Sequence, residues 1–413
     1  MKTISRLTGA AYGVHLSDQV ALVSVPLIAA LVFDASPEMI GILVACQSMA
    51  HLVGSIPFGI LVDSFQQRNL AIAASLVSLT GFIGAIAAIM LDSILLFGAS
   101  VTLAGFGVVL FVLSTLSILP KVSAREGLAR ANAAIEVPRA IASFVVPLLI
   151  GLYVTAVPPV LIIAIAVIGS LVALGFTSTL PVVEMAPPVS SRVLSRIVEG
   201  GAFVLRHRLL LPISLCAIFW NLAFAALLVV LVPVIREVYR IDPGAFGIGL
   251  SFFGLAMILG TWVIGRFADR IAPNLILLFG PGSSVFAALG MALIPTGGSP
   301  VLFYACMFLL GFGPSMWLVT QNSVRQLVTP SARLGRVNAV IQTAIYGIRP
   351  LGALAGGLVA GNWGPQTGLV FVLLAYTASF LAALFSDLRG VRSYSELSPD
   401  DERVLNRGAT MTK

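Results

Sequence analysis

Apolar residues run through this chain in blocks of 20 or more, separated by short clusters of charge, proline and glycine. Blocks of that length cross roughly 30 Å of hydrocarbon as α-helices. They are too long, and lack the period of two, for membrane strands. The pattern predicts about twelve spans, near 8–33, 38–62, 69–91, 94–119, 129–155, 158–180, 209–235, 245–268, 274–295, 300–324, 334–361 and 366–387. The one long connection, 181–208, opens with a Pro-rich stretch from Pro181 to Pro188. It continues as an amphipathic helix, with Val193, Leu194, Ile197, Val198, Phe203 and Leu205 set against Arg192, Arg196, Glu199 and Arg206. The expected organisation is a six-helix half over 1–180, a linker over 181–208, a second half over 209–387 and a tail over 388–413.

The two halves repeat each other at an offset of 206 residues without a gap. Gly41-Ile42 recurs as Gly247-Ile248, and Gly54 as Gly260. Gly59 and Asp63 recur as Gly265 and Asp269. Gly105-Phe106-Gly107 recurs as Gly311-Phe312-Gly313. Leu128, Arg130, Asn132, Ala133 and Ile135 recur as Leu334, Arg336, Asn338, Ala339 and Ile341. The fold class is therefore an all-α integral membrane protein of two pseudo-symmetric halves, the plan of a secondary transporter with its site between them.

Composition agrees with that medium. The chain is 58% hydrophobic and only 10% charged, too little to coat a soluble protein of 413 residues. Of its 24 Lys and Arg, 20 fall at one set of loop ends, the tail included. Arg236 and Arg240 fall at the opposite set, and Arg139 and Arg349 inside spans. This bias places both termini and the linker in the cytoplasm, with the chain in a bacterial inner membrane. The net charge of +7 thus reflects topology, not a nucleic-acid partner. The first span carries Asp18 and no small-residue cleavage site, which excludes a removable signal peptide. Cys46, Cys216 and Cys306 lie in separate spans and imply neither a disulfide framework nor a metal site. No nucleotide-binding glycine loop or nucleophile triad appears, so no cofactor is expected and neither an enzyme nor an ATP-driven pump is supported.

The loop after the second span reads Gly59-Ile-Leu-Val-Asp63-Ser-Phe-Gln-Gln-Arg68, with a second copy Gly265-Arg-Phe-Ala-Asp269-Arg270. It resembles the loop signature of the major facilitator superfamily, although Ser64 and Gln67 stand where that signature has basic residues and Gln66 where it has glycine. The stretches Leu119-Pro120-Lys121 to Asn132, Gly335-Arg336-Val-Asn338 to Gly352, and Glu199 to His207 are similar to the branch of macrolide-efflux and enterobactin-export carriers. The resemblance implies twelve helices and alternating access. It also implies a cytoplasmic gate formed by Gly59, Asp63, Arg68, Gly265, Asp269 and Arg270 with Arg130 and Arg336. Asp63 would meet the start of the eleventh span and Asp269 the start of the fifth, where helix N-termini carry partial positive charge. Val146 stands where drug antiporters of this kind carry a glycine before proline.

Charges inside spans cost at least ~2.5–3.5 kcal/mol on insertion scales, so they line cavities or find partners. Asp18 lies mid-way along the first span with His15 one turn earlier. Glu136 and Arg139 share a face of the fifth span, and Arg349 sits beside Pro350 in the eleventh. Glu136 maps by the repeat to Gln342, and Arg139 to Ile345, so the scaffold is duplicated but the charge is not. Asp18, Glu136 and His15 are the proton-coupling candidates. Arg139, Arg349, Asn221, Gln321, Gln342 and Tyr346 are the substrate-cavity candidates, Asn221 because it maps onto His15. The function these residues fit is proton-coupled export of amphipathic small molecules, such as drugs or siderophore-like products, by a monomer in the lipid bilayer. The alternative is a carrier of lipids or anionic metabolites that uses the two arginines.

The charge bias makes a direct prediction. A cysteine placed at Asp242 should react with an impermeant thiol reagent added outside intact cells, and one at Ser190 should not. The reverse pattern overturns the orientation.

Overall fold

The computed structural model describes residues 2–122, 128–182, 193–268 and 270–398. The first half holds α1 (Lys2–Leu31), α2 (Pro37–Ser64), α3 (Gln67–Met90), α4 (Ile94–Val122), α5 (Leu128–Tyr153) and α6 (Pro159–Ser178). The linker carries α7 (Val193–Arg206). The second half holds α8 (Leu210–Pro233), α9 (Ala245–Phe267), α10 (Pro273–Ala292), α11 (Pro300–Val328), α12 (Ser331–Trp363) and α13 (Pro365–Leu384). No strand occurs among the described residues. Eleven helices are long and apolar enough, among the described residues, to cross a membrane. With α2, whose 28 residues match their length, these are the twelve membrane helices.

Local chemistry sets the breaks. Proline opens α2, α6, α10, α11 and α13, where its missing N–H costs nothing and its fixed φ suits a first turn. Ser36 and Ser299 cap α2 and α11 through their hydroxyls. Gly364, at φ 89°, makes the turn from α12 to α13. After Pro233, α8 continues as a single π-helical stretch, Val234–Tyr239, which carries Arg236.

Packing repeats with the sequence. Within the first half α1 lies on α5 and α6, α3 on α4 and α6, and α2 on α4. Within the second, α8 lies on α12 and α13, α10 on α11 and α13, and α9 on α11. These are the same pairs at the same offset. The halves meet along two seams, α2 with α12 and α5 with α9.

Both seams are closed by glycine at the end of the bundle away from the chain termini. A methyl built on Gly41 of α2 would lie 2.8 Å from the Ala353 carbonyl oxygen and 3.0 Å from Cα of Gly357 on α12. A methyl on Gly247 of α9 would lie 2.7 Å from Cα of Gly151 on α5. Gly41 and Gly247 correspond across the repeat, as do Gly151 and Gly357. Small residues let the backbones touch, which drives helix association where lipid offers no hydrophobic gain. Arg236 adds a bond across the same end, donating to the Ala30 carbonyl at 2.8 Å.

The buried apolar core follows the same division. Away from the termini one cluster runs through both halves, from Val20, Leu27 and Ile40 to Leu231, Phe246 and Tyr376. Near the termini the clusters stay within one half. Ala10, Val14, Val62 and Phe111 form one, and Leu7, Ile118 and Leu180 another. Leu210, Trp317 and Val337 pack with α7 and the tail. Ile264, Ile276 and Met316 form a fourth. The protein is thus sealed at the far end and parted at the terminal end.

The tail differs from a simple extension. Residues 387–397 fold back as two 3-10 turns under the second half. Asn274 bonds the Val391 carbonyl through its N–H and the Arg389 carbonyl through its side chain, each at 2.9 Å. Leu388 and Val391 are buried there. A second correction concerns Arg325, which the span pattern assigned to a loop. It lies in the last turn of α11 and is buried. There Nη2 donates to Asn322 Oδ1 at 2.7 Å, so the helix continues past the charge.

Replacing Gly151 by valine should force the α5–α9 seam apart at a cost of about 1–3 kcal/mol. That moves a two-state equilibrium by at least about fivefold. Spin labels at Leu91 and Leu293, both exposed at the far end, should report longer distances in the variant. An unchanged distribution means that this contact does not hold the far end shut.

Candidate functional site

The site is built where the parted cleft reaches the middle of the membrane helices. On α1, Gly13 and Ser17 share the face that packs on α6, where Ser17 Oγ donates to the Ala166 carbonyl at 2.7 Å. His15 and Asp18 therefore fall on the other side of the helix. His15 is buried, and its Nδ1 has no hydrogen-bond partner. Asp18 is half-buried. Among the described residues its carboxylate makes no hydrogen bond and no ion pair within 4.0 Å. It lies in the electrostatic field of Arg139 on α5 and Arg349 on α12, and the field of Arg139 also reaches His15.

On α5 the face that meets α9 runs through Gly151, Pro147 and Ser143, the last against Gly254. The same face continues toward the terminal end through Ala140 to Glu136. There α9 has parted from it, and Glu136 and Arg139 stand in the cleft with 59% and 58% of their side-chain surface exposed. Arg139 Nε lies 2.9 Å from Glu136 Oε2. An ion pair this exposed contributes only about 0.2–1 kcal/mol, so it does not hold the fold and opens readily.

Arg349 is held more firmly. Gly352 and Gly356 of α12 press on the backbone at Leu222 and Ala226 of α8, which brings the preceding turn of α12 alongside Asn221. Arg349 Nε donates to Asn221 Oδ1 at 2.9 Å. Asn221 Nδ2 donates in turn to the Ala217 carbonyl at 2.9 Å, and this fixes which way the amide points. The guanidinium also lies over the Tyr346 ring, 5.5 Å from its centre. The repeat places Phe224 where the first half has Asp18. Phe224 stacks between Trp220 and Phe253, with ring centres 5.1 Å apart on each side. An acid on one wall of the cleft is thus answered by an aromatic stack on the other.

The remaining candidates are dispersed. Gln321 bonds Asn322 at 2.7 Å on α11, beside Arg325 and away from Arg349. Gln342 is exposed on α12. Of the gate residues, Asp269 lies outside the described residues, as do the side chains of Asp63 and Arg130 and the surroundings of Gly59. Arg68 bonds the Ser178 carbonyl of its own half at 2.8 Å. Arg270 lies over Phe267, and Gly265 faces open space. Arg336 pairs with Glu199 of α7. Arg333 lies over the Phe203 ring, and Gly200 packs on the Arg336 backbone. The bond from Asn221 to Arg349 and the α7 dock were not visible in the sequence, although the repeat singled out Asn221 and the amphipathic pattern singled out α7.

The sequence profile described as Major Facilitator Superfamily matches residues 7–353. The enterobactin exporter EntS of Escherichia coli O1:K1 is 25% identical over 328 residues, 79% of this chain and 78% of that protein. Its counterpart in Shigella boydii serotype 4 is 26% identical over 329 residues, with the same coverage. Among solved structures, the nucleoside transporter NupG superposes with a TM-score of 0.74 at 14% identity, over 93% of this chain and 98% of that one. A D-xylose-proton symporter gives 0.71 at 14% identity, over 95% and 98%. The repeat, the two seams, the cleft and the matching profile agree: the chain is a multi-pass membrane transporter that belongs to the Major Facilitator Superfamily.

Proposed function

We propose that the protein is a proton-coupled export carrier that moves amphipathic small molecules out of the cell by alternating access. The observation that supports this best is Asp18, an unpaired acid mid-way along α1 that faces arginines from α5 and α12. A lone carboxylate at that depth is costly, and three charges converging on one cleft are the equipment of a coupled carrier. Closing the terminal end would exclude water from Asp18 and bring α9 over Glu136 and Arg139. Both changes alter how Asp18 holds a proton. Glu136 is the second candidate, and His15 neighbours the first. The apolar walls and the stack at Phe224 suit an amphipathic cargo. The likeness to proteins named as enterobactin exporters supports export over uptake.

Asp63 and Asp269 act, in this reading, in the other half of the cycle, when the cytoplasmic ends close. In the open state α7 occupies Arg336 through Glu199, so closure has to exchange that partner for the end of α2. Arg139 and Arg349 also support the lipid or anionic-metabolite reading, because both stand in the cleft with basic groups facing it.

In proteoliposomes with an imposed pH gradient, the wild type should expel ethidium or a similar amphipathic dye against its concentration gradient. Asp18→Asn should reduce accumulation to the level of empty liposomes and leave downhill exchange within about twofold of wild type, since alternating access needs no proton once the site stays neutral. If Asp18→Asn and Glu136→Gln both still concentrate the dye, proton coupling through these residues is wrong and the anionic reading takes precedence. Asp63→Asn should lower transport several-fold while dye binding survives. Normal transport by that variant makes Asp63 an ordinary helix-end charge.

A further inference from the structure

The guanidinium of Arg349 has more capacity than the structure uses. An arginine offers two bidentate edges, one through Nε and one through the two terminal nitrogens. Asn221 occupies Nε alone. Among the described residues neither terminal nitrogen has a hydrogen-bond or ion-pair partner, and neither is sealed from the cleft. The end-on edge, the one that matches a carboxylate, is therefore aimed and vacant. Asn221 does the aiming, because its own amide is locked to the Ala217 carbonyl.

Asp18 is the mirror of this. Its carboxylate is unpaired and unsealed as well, and it stands on the opposite wall, in the other half of the protein. The two charges feel each other electrostatically yet lie beyond 4.0 Å. The other charges of the cleft, Glu136 and Arg139, are paired with one another at 2.9 Å. What the cleft presents to a solute is thus one free acid and one free guanidinium with no net charge. A solute carrying only a cation leaves the guanidinium unmatched, and one carrying only an anion faces Asp18 with nothing to offer it. A solute carrying both satisfies both walls and ties the halves together across the cleft.

We propose that the transported compounds are amphipathic ampholytes, with a basic group bound by Asp18 and an acidic group bound by the end-on edge of Arg349, which Asn221 positions. This rests on the carrier reading given above and narrows its substrate class. It also gives coupling a simple form, because a basic group on the solute and a proton compete for the same carboxylate. The apolar part of the solute lies against Phe224 and its stacked neighbours.

Four probes with one apolar body test this: homophenylalanine (zwitterion), homophenylalanine amide (cation), 4-phenylbutyrate (anion) and 4-phenylbutyramide (neutral). The readout is the concentration giving half-maximal thermal stabilisation of the purified full-length protein, with no gradient present. The zwitterion should act at a concentration at least about tenfold lower than the other three, the weight of one charge-assisted contact. Arg349→Gln should bring the zwitterion level with the amide, and Asp18→Asn level with 4-phenylbutyrate. Asn221→Ala should cost the two acids about tenfold and leave the amide unchanged, which a merely structural role for Asn221 would not do. Equal potency of the amide and the zwitterion in the wild type overturns the proposal, as does equal potency of 4-phenylbutyrate, or no saturable response to homophenylalanine. The ranking needs no variant, so misfolding cannot hide it. Because nothing is pumped, the result also stands apart from the coupling test on Asp18.

Discussion

Helix packing without water governs this molecule. Lipid gives apolar side chains no reason to leave it, so the halves hold together best where backbones come close enough to touch. Glycine makes that possible at Gly41, Gly151, Gly247 and Gly357, and these four positions fix the far end. The same device operates within the second half, where Gly352 and Gly356 seat α12 on α8. That seating sets the height of Arg349 against Asn221. The placement of the central guanidinium is therefore a consequence of glycine spacing along α12.

Upon this duplicated frame the chemistry is laid asymmetrically. The first half supplies Asp18, Glu136 and Arg139; the second supplies Arg349, Asn221 and the stack at Phe224. The peripheral parts are asymmetric too. Both α7 and the folded tail dock on the second half, through Glu199 with Arg336 and through Asn274 with the tail backbone. The second half is thereby bound into one body at its terminal end.

The spans and the twofold plan could be read in the sequence because hydrocarbon thickness and a gapless repeat leave little freedom. The charged positions could be read for the same reason, since an acid or arginine in an apolar run stands out. What depended on the register between helices could not. The spacing of Glu136 and Arg139 put them on one face of a helix, but their exposure follows from α9 having parted from α5. The bond between Asn221 and Arg349 needs the close approach of α8 and α12, which no pattern along a single helix displays. Arg325 was misplaced because an arginine ended the apolar run; Asn322 one turn earlier gives it an acceptor and lets the helix go on. The fold of the tail rests on hydrogen bonds between residues more than 100 positions apart, Asn274 and Arg389 among them.

The two glycine seams are copies placed on either side of one axis. Each half contributes one partner to each: Gly41 and Gly151 from the first, Gly247 and Gly357 from the second. A motion of the halves that keeps their twofold relation loosens both seams together, so the far door has one latch in two places. A bulkier residue at a glycine of either seam would therefore strain the same closure, whichever half carried the change.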